Sequence, residues 1–242
     1  MGTPVKPYNS NEKSKKQEVA EMFNNISHRY DFLNHFLSMG IDRIWRKKAI
    51  RILKPDHPKF LLDIATGTGD FAIAALKLHP DKIIGLDIST GMLEKGREKL
   101  KKRKIDHKIE LHEGDSENIP FPDNTFDGIT VGFGVRNFEN LEKGLKEMLR
   151  VLKPGKTAVI LEFSKPRKFP VKQLFGFYSR RIIPFFGRKI SKDKAAYSYL
   201  PESVEAFPEG TAFVTIMEKC GYKDIRTKTV SGGIATIYYG KK

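Results

Sequence analysis

The sequence feature that most constrains the fold is a short apolar run that enters a glycine-bearing turn, LLDIATGTGD at residues 61–70. The run predicts a buried strand, and the residues after the turn predict a helix. A ligand can approach Gly67 and Gly69 closely because neither has a Cβ, and the first turn of the helix presents free N–H groups. This arrangement is typical of the first strand of a nucleotide-type site in an α/β protein.

Strand and helix patterns alternate along the chain. The predicted strands cover residues 60–65, 82–88, 108–113, 126–132 and 157–163, and the predicted helices cover residues 70–78, 92–102, 141–152 and 209–219. Such alternation predicts right-handed βαβ units and a parallel sheet. Two last strands, predicted at residues 223–229 and 234–239, are separated by little more than SGG, so we expect an antiparallel hairpin there.

The length of 242 residues fits one α/β domain with additions. We expect a flexible N-terminus over residues 1–18, a lid of two or three short helices over residues 19–48 and the main domain over residues 49–242, with an insertion at 164–205. The start of the chain lacks the apolar stretch of a secretory signal and no run is long enough to span a bilayer, so a cytoplasmic location is expected. Cys220 is the only cysteine, which excludes an intrachain disulfide.

Acidic residues near the glycine turn narrow the choice of ligand. Asp87 follows the turn by about twenty residues, at the end of the second predicted strand, where its carboxylate can accept both hydroxyls of an adenosine ribose. Glycine spacing alone leaves a dinucleotide enzyme open, because Ala72 could stand at the third position of its fingerprint. Asp70 would repel a pyrophosphate but could hold the ammonium of a methionine moiety, so we interpret the site as one for S-adenosylmethionine.

From about residue 60 onward the chain resembles the class I methyltransferases, which share D-x-x-x-G-x-G and a final antiparallel hairpin. The resemblance implies a Rossmann-like α/β fold with a seven-stranded sheet whose last strand is antiparallel, here with the N-terminal helical lid and a helical insertion after strand 5. It also implies that Asp115 accepts from the adenine amino group, that Ser116 offers its backbone N–H and that Thr68 belongs to the cofactor turn. The alternative for Asp115 is a turn cap, and we expect Asp63 to orient the turn through hydrogen bonds to backbone N–H groups.

Five segments resemble the ubiquinone and menaquinone biosynthesis C-methyltransferases: YDFLNHFLSMGIDRIW, ATGTGD, ENIPFPDNTFD, FGVRN and RVLKPGKTAVILEFS. The resemblance extends from about residue 22 to the end of the chain and is more specific than any single glycine turn. It implies methylation of a ring carbon of a prenylated quinol, demethylmenaquinol to menaquinol, with S-adenosylmethionine as the methyl donor. The chain departs from the usual family pattern at Asp42, Lys156 and Gly132, where histidine, glycine and serine are common.

A quinol carbon becomes nucleophilic when the neighbouring hydroxyl loses its proton. Arg136, in FGVRN, is our first candidate for stabilising the resulting oxyanion or for ordering a water that takes the proton. Asn137 could hold a second oxygen. The alternative for Arg136 is a surface salt bridge with Glu139 or Glu142.

Two residues of the predicted lid, Tyr30 and His28, could also reach over the site. Either residue alone is more often a packing or solvent-facing group than a catalytic one. None of the six histidines forms a metal-like cluster with a spaced carboxylate or thiol in the sequence, so no metal is expected.

A basic, aromatic segment follows the fifth predicted strand. Between residues 164 and 194 there are ten Lys or Arg residues and one acid, Asp193, with six aromatic residues interleaved. This composition fits a surface that docks on anionic lipid, a strip that binds RNA, or a solvated insertion. We favour peripheral contact with the inner face of an anionic membrane, because a prenylated quinol resides in the bilayer. Pro166, Pro170 and Pro184 predict two short helices with a mobile link.

The formal net charge of +15 keeps an RNA methyltransferase open as an alternative. Amino-directed nucleic-acid enzymes of this class usually carry N-P-P-Y or D-P-P-Y after strand four, where this chain has VGFGVRN, and carbon-directed ones use a cysteine. Cys220 lies in a helix far from that edge, so no nucleic-acid partner is expected. Another small-molecule methyltransferase and a cofactor-binding protein without catalysis are further alternatives, and the sequence permits a homo-oligomer.

Overall fold

The structure, a computed structural model, describes residues 5–37, 40–177 and 194–242, without the side chains of residues 29–37, 177, 194, 196 and 197. Its centre is a seven-stranded sheet in the order β3-β2-β1-β4-β5-β7-β6. The strands are β1 Phe60–Ile64, β2 Lys82–Asp87, β3 Ile109–Glu113, β4 Phe126–Gly132, β5 Leu152–Phe163, β6 Lys223–Val230 and β7 Ala235–Lys241. Neighbouring strands from β3 to β5 pair in parallel, and β7 is antiparallel to both β5 and β6. The predicted α/β sheet with its antiparallel last strand is confirmed.

Helices surround this sheet on both faces. In the described residues the α-helices are α1 Lys15–Leu37, α2 Ile41–Leu53, α3 Asp70–Ala75, α4 Thr90–Lys102, α5 Leu141–Val151, α6 Val171–Phe177, α7 Lys194–Ala206 and α8 Thr211–Lys219. α6 and most of α7 belong to the predicted insertion after the fifth strand. The link expected between them, with Pro184, lies outside the described residues.

The apolar core consists of two layers, one on each face of the sheet. Successive residues of a strand point to opposite faces, so Leu62 of β1 enters one layer and Leu61 enters the other. Both side chains are at most 1% exposed. Because parallel strands are covered by helices on both faces, the central strands are mostly apolar rather than alternating.

The N-terminal region differs from the expectation. A single helix of 23 residues, α1, replaces the first of the short helices expected from residue 19 onward, and it begins at Lys15. The preceding residues fold back on it, because the buried carboxylate of Glu18 accepts hydrogen bonds from the backbone N–H groups of Tyr8 (2.6 Å) and Ser10 (2.8 Å). The polar composition of these residues led us to expect a flexible tail. Composition alone does not show that a carboxylate eight to ten positions later accepts their backbone N–H groups.

Candidate cofactor and substrate site

A cleft that is open to solvent lies between α1 and the carboxyl ends of β1, β2 and β4. This edge is where open α/β sheets bind small molecules. Among the sequence-predicted site residues, those that line it are Gly67, Asp87, Asp115, Ser116 and Asn137. Lys16, Val19 and Phe23 of α1 form the opposite wall, so the lid helix covers the cleft.

The glycine turn is held in shape from behind by Asp63. One carboxylate oxygen of Asp63 accepts from the Thr66 hydroxyl (2.6 Å) and the Ala72 N–H (3.1 Å), and the other accepts from the Thr130 hydroxyl (2.6 Å). Burial raises the pKa of Asp63 to about 6, although these three donors favour the charged form. Asp63 lies behind the cleft wall and orients the turn, whose backbone has positive φ at Gly67 (57°).

Asp87 joins the second strand to this turn. Its Oδ2 accepts from the Gly67 N–H (2.7 Å), its Oδ1 accepts from the Ser89 N–H (2.9 Å), and burial raises its pKa. Each carboxylate oxygen can accept a second hydrogen bond, so Asp87 can hold the turn and still receive two hydroxyl groups from the cleft.

Asp70 does not have the role that the sequence suggested. Its Oδ1 accepts from the Lys99 ammonium (3.0 Å), and its Oδ2 lies 3.7 Å from the guanidinium of Arg46. The hydroxyl of Thr68 accepts from the same Lys99 (2.7 Å), and the described cleft lining includes none of Thr68, Gly69 and Asp70. The expectation that Asp70 holds a methionine ammonium is therefore wrong in this structure, because cations of α2 and α4 already neutralise the carboxylate on the far side of the turn.

Asp115 has two partners. Its Oδ1 accepts from the Glu117 N–H (2.8 Å), as a turn cap does, and its Oδ2 accepts from the ammonium of Lys16 (2.5 Å). Burial lowers the pKa of Lys16, but the hydrogen bond to Asp115 and the charge of Glu117 outweigh burial, and the pKa is raised overall. The capping alternative is thus realised, and the second oxygen faces the lid.

Two more contacts fix α1 over the cleft. The ammonium of Lys15 donates to the backbone carbonyls of Arg136 and Phe138, each at 2.9 Å, and burial lowers its pKa to about 8. Farther along α1, the side-chain oxygen of Asn24 accepts from the Ser89 hydroxyl (2.8 Å) and the Gly91 N–H (2.9 Å) at the start of α4. Sequence reasoning missed these residues, because a single polar side chain carries no periodic signal.

The partner of Arg136 is a buried glutamate. Its guanidinium Nη1 lies 2.8 Å from Glu162 Oε1, also donates to the Phe133 carbonyl, and has 7% side-chain exposure. Burial raises the pKa of Glu162, and the charge of Arg136 opposes that rise. The alternative of a surface salt bridge with Glu139 or Glu142 is therefore wrong. Glu162 carried a signal in the sequence, since a charge inside the apolar run of β5 must have a partner.

Arg136 lies behind the cleft rather than in it. Its charge lies 5.4 Å from the ring centre of Phe163, and no described residue accepts a hydrogen bond from its buried Nε. Phe133, which does line the cleft, stands between the guanidinium and the cavity through its backbone carbonyl. Arg136 therefore contacts the cleft wall only through the Phe133 carbonyl, and any role of its side chain in the reaction would be exerted at a distance.

Asn137 is the polar side chain that lines this end of the cleft. Its Oδ1 accepts from the hydroxyl of Tyr199 (3.1 Å), and its Nδ2 donates to the Phe133 carbonyl (3.4 Å). Burial raises the pKa of Tyr199 to about 12, so this hydroxyl stays a donor at neutral pH. Tyr199 comes from α7, 62 residues away, and sequence reasoning did not find it.

Two lid predictions have different outcomes. His28 is exposed to solvent on α1. The side chain of Tyr30 lies outside the described residues, so its proposed role stays a prediction.

Comparison with known proteins gives close relatives. The model of the ubiE/COQ5 methyltransferase family matches residues 11–242. A demethylmenaquinone methyltransferase of Bacteroides fragilis is 50% identical over 239 residues, covering 98% of this chain and 97% of the relative. That of Porphyromonas gingivalis is 42% identical and both chains are covered completely. A ubiquinone/menaquinone biosynthesis C-methyltransferase of Geobacter sulfurreducens is 44% identical over 94% of this chain and 90% of its own.

Solved structures agree on the fold. A SAM-dependent methyltransferase of Thermotoga maritima superposes with a TM-score of 0.66 at 18% identity, covering 93% of this chain and 99% of that chain. A phosphoethanolamine N-methyltransferase of Haemonchus contortus, in complex with S-adenosyl-L-methionine, has a TM-score of 0.60 at 16% identity, covering 91% of this chain and 60% of its own. At such low identity these two likenesses establish the class I architecture alone.

Proposed function

Since the chain belongs to the ubiE/COQ5 methyltransferase family, we propose that it transfers the methyl group of S-adenosylmethionine to a ring carbon of demethylmenaquinol, which gives menaquinol. The observation that carries the proposal is one cleft lined both by Asp87, whose carboxylate can accept ribose hydroxyls, and by the amide of Asn137. The chain is also 50% identical to a demethylmenaquinone methyltransferase. A cofactor-binding protein without catalysis would have the same cleft, and a methyl-transfer assay distinguishes it from a methyltransferase.

The residues of the cleft fit an adenosine-containing cofactor. Asp87 offers carboxylate oxygens for two ribose hydroxyls, and the Asp115 to Ser116 turn offers an acceptor and an N–H for an adenine edge. The apolar side chains of Ile88 and Met92 also line the cleft and suit the faces of a base. When bound, S-adenosylmethionine supplies an electrophilic methyl group on a sulfonium.

The opposite end of the cleft suits the quinol ring. Tyr199 donates to Oδ1 of Asn137, and one amide N–H donates to the Phe133 carbonyl, so the second amide N–H can donate to a quinol oxygen. The nearby positive charge of Arg136 favours loss of the proton from the quinol hydroxyl, and Glu162 holds that charge in place. Orientation of the ring carbon against the methyl group supplies the rest of the rate enhancement.

The substrate also suggests where the protein works. We propose that it is cytoplasmic and docks peripherally on the inner face of an anionic membrane through the basic segment after β5. Arg167, Lys168 and Phe169 at its start are exposed. Arg180, Arg181, Arg188 and Lys189, which we predict to contribute, lie outside the described residues. Within the part of the chain that the structure describes, no helix has the length and apolar character needed to cross a bilayer.

Methyl transfer from labelled S-adenosylmethionine tests the proposal. The purified protein is incubated with demethylmenaquinol in detergent and, in parallel, with total RNA. We expect label in the quinol alone. Label in RNA with none in the quinol would replace the proposal by the RNA methyltransferase alternative, and label in neither pool would favour a cofactor-binding protein without catalysis.

A further inference from the structure

A buried aromatic cluster packs beside the cleft. Phe133, which lines the cleft, stacks on Phe163 with ring centres 4.3 Å apart. Trp45 of α2, which is 3% exposed, contacts both rings, with centre distances of 6.1 Å to Phe133 and 6.4 Å to Phe163. The indole N–H of Trp45 donates to the Ser231 hydroxyl (2.8 Å) in the turn between β6 and β7. The cluster therefore connects the wall of the cleft to that turn by packing.

The same turn joins α2 to the start of the insertion. It lies at the carboxyl edge of the sheet, because Phe163 at the end of β5 pairs with the first residue of β7. Val171 of α6 packs so tightly on Gly232 that a Cβ at Gly232 would lie 2.8 Å from a Val171 methyl group. Pro166 packs beside Gly233 in the same way, at 3.4 Å. α2 and α6 thus flank one turn.

The exposed large apolar side chains of the described residues belong to these two helices and to the residues just before α6: Ile44 of α2 (51% exposed), Phe169 (81%) and Leu174 of α6 (66%). Exposed cations accompany them, namely Arg43, Lys47, Arg167, Lys168 and Lys172. We call these eight residues the docking face.

Cations outnumber acids on the docking face. One of its five cations, Arg167, lies 3.4 Å from the carboxylate of Glu209. The only acid of α2, Asp42, is buried and paired with Arg46, and the sequence from residue 164 to residue 177 contains none. A solvated face usually mixes both signs of charge. Exposed apolar groups among an excess of cations are instead suited to the boundary of an anionic bilayer.

We propose that the docking face rests on an anionic bilayer. The inference deepens the membrane contact of the proposed function, because it extends that contact to α2, which the composition of the basic segment did not indicate. Ile44 and Phe169 insert beneath the headgroups, and Arg43 and Lys47 pair with lipid phosphates.

Vesicle flotation and two substrates test the docking face. We use phosphatidylglycerol vesicles that contain long-tail demethylmenaquinol, and a tail-less naphthoquinol in solution. The double variant Ile44→Ser with Phe169→Ser should reduce vesicle binding and methylation in vesicles about five-fold or more. It should leave methylation of the tail-less quinol unchanged. Leu at both positions should restore vesicle binding. Arg43→Gln with Lys47→Gln should weaken vesicle binding more than the matched pair Lys101→Gln with Lys102→Gln on α4. Vesicle binding that is unaltered in both docking-face variants would overturn the proposal.

The proposed function can fail without the docking face. Wild-type protein that binds vesicles, yet methylates neither quinol, would overturn the proposed function and leave the docking face standing.

Discussion

The ammonium of Lys16 lies 2.5 Å from the carboxylate oxygen of Asp115 that faces the lid. Asp115 is also the residue that we propose accepts from the adenine amino group, so the lid helix and the cofactor would share one carboxylate. Lys16 is anchored by Glu117 as well, at 3.3 Å. The lid is thus connected to the cofactor site by charge.

Lys16→Met should speed both the association and the dissociation of S-adenosylmethionine, since the lid loses its ion pair at the adenine end. Stopped-flow mixing with the cofactor measures both rates. Lys13→Met is the matched control, because Lys13 pairs with exposed Glu21 and does not line the cleft. Rates that change equally in the two variants would assign the effect to net charge rather than to the lid.

Asp87→Ala should weaken cofactor binding by about 1–3 kcal/mol, because buried ribose hydroxyls lose their acceptor and the glycine turn loses the bond at Gly67. Calorimetric titration with S-adenosylmethionine checks this. An unchanged affinity would remove Asp87 from the cofactor site.

Arg136→Ala should lower turnover while leaving cofactor affinity nearly unchanged, because the charge acts on the quinol. It should also cost about 3–5 kcal/mol of stability, since Glu162 is left buried without its cation. The double variant Arg136→Met with Glu162→Leu separates the two effects. It should regain stability in urea unfolding but not turnover, and a double variant with wild-type turnover would give the ion pair a purely structural role.

Tyr199→Phe should reduce kcat several-fold with little change in cofactor affinity, because the amide of Asn137 is no longer fixed with its nitrogen toward the cleft. Tyr222→Phe is the control for stability: its buried hydroxyl donates to the Leu145 carbonyl (2.9 Å) away from the cleft. Each change should cost about 1 kcal/mol of unfolding free energy. Equal losses of kcat in the two variants would contradict a positioning role for Tyr199.

The buried carboxyl of Asp63 should make stability depend on pH. Its pKa is raised by burial from 3.8 to about 6, so between these values the folded state keeps a proton that the unfolded state has released. The stabilising contribution is full below pH 3.8 and is lost as the pH rises through about 6. Relative to Asp63→Asn, the wild type should lose about 3 kcal/mol of unfolding free energy over this range, measured by urea unfolding. A constant difference between the two proteins would contradict the raised pKa.

Local signals in the sequence were enough for the sheet and for one wall of the cleft. The alternation of apolar runs and amphipathic helices reflects backbone geometry over about ten residues, so it can be detected locally. It correctly predicted β1, β2 and the final hairpin in their order along the chain. Because parallel strands end at one edge, the sequence also brought Gly67 and Asp87 together, and they share a hydrogen bond of 2.7 Å. The same reasoning failed for Asp70, since a spacing does not say which side of a turn a carboxylate takes.

The opposite wall depended on contacts between distant parts of the chain. Lys16 meets Asp115 across 99 residues, and Tyr199 meets Asn137 across 62. Arg136 pairs with a glutamate inside β5 and not with Glu139 or Glu142, which are closer in the sequence. A buried cation requires a buried partner, and only packing decides which carboxylate is buried beside it. Side chains so far apart in the chain carry no shared periodicity, so only the tertiary structure could pair them.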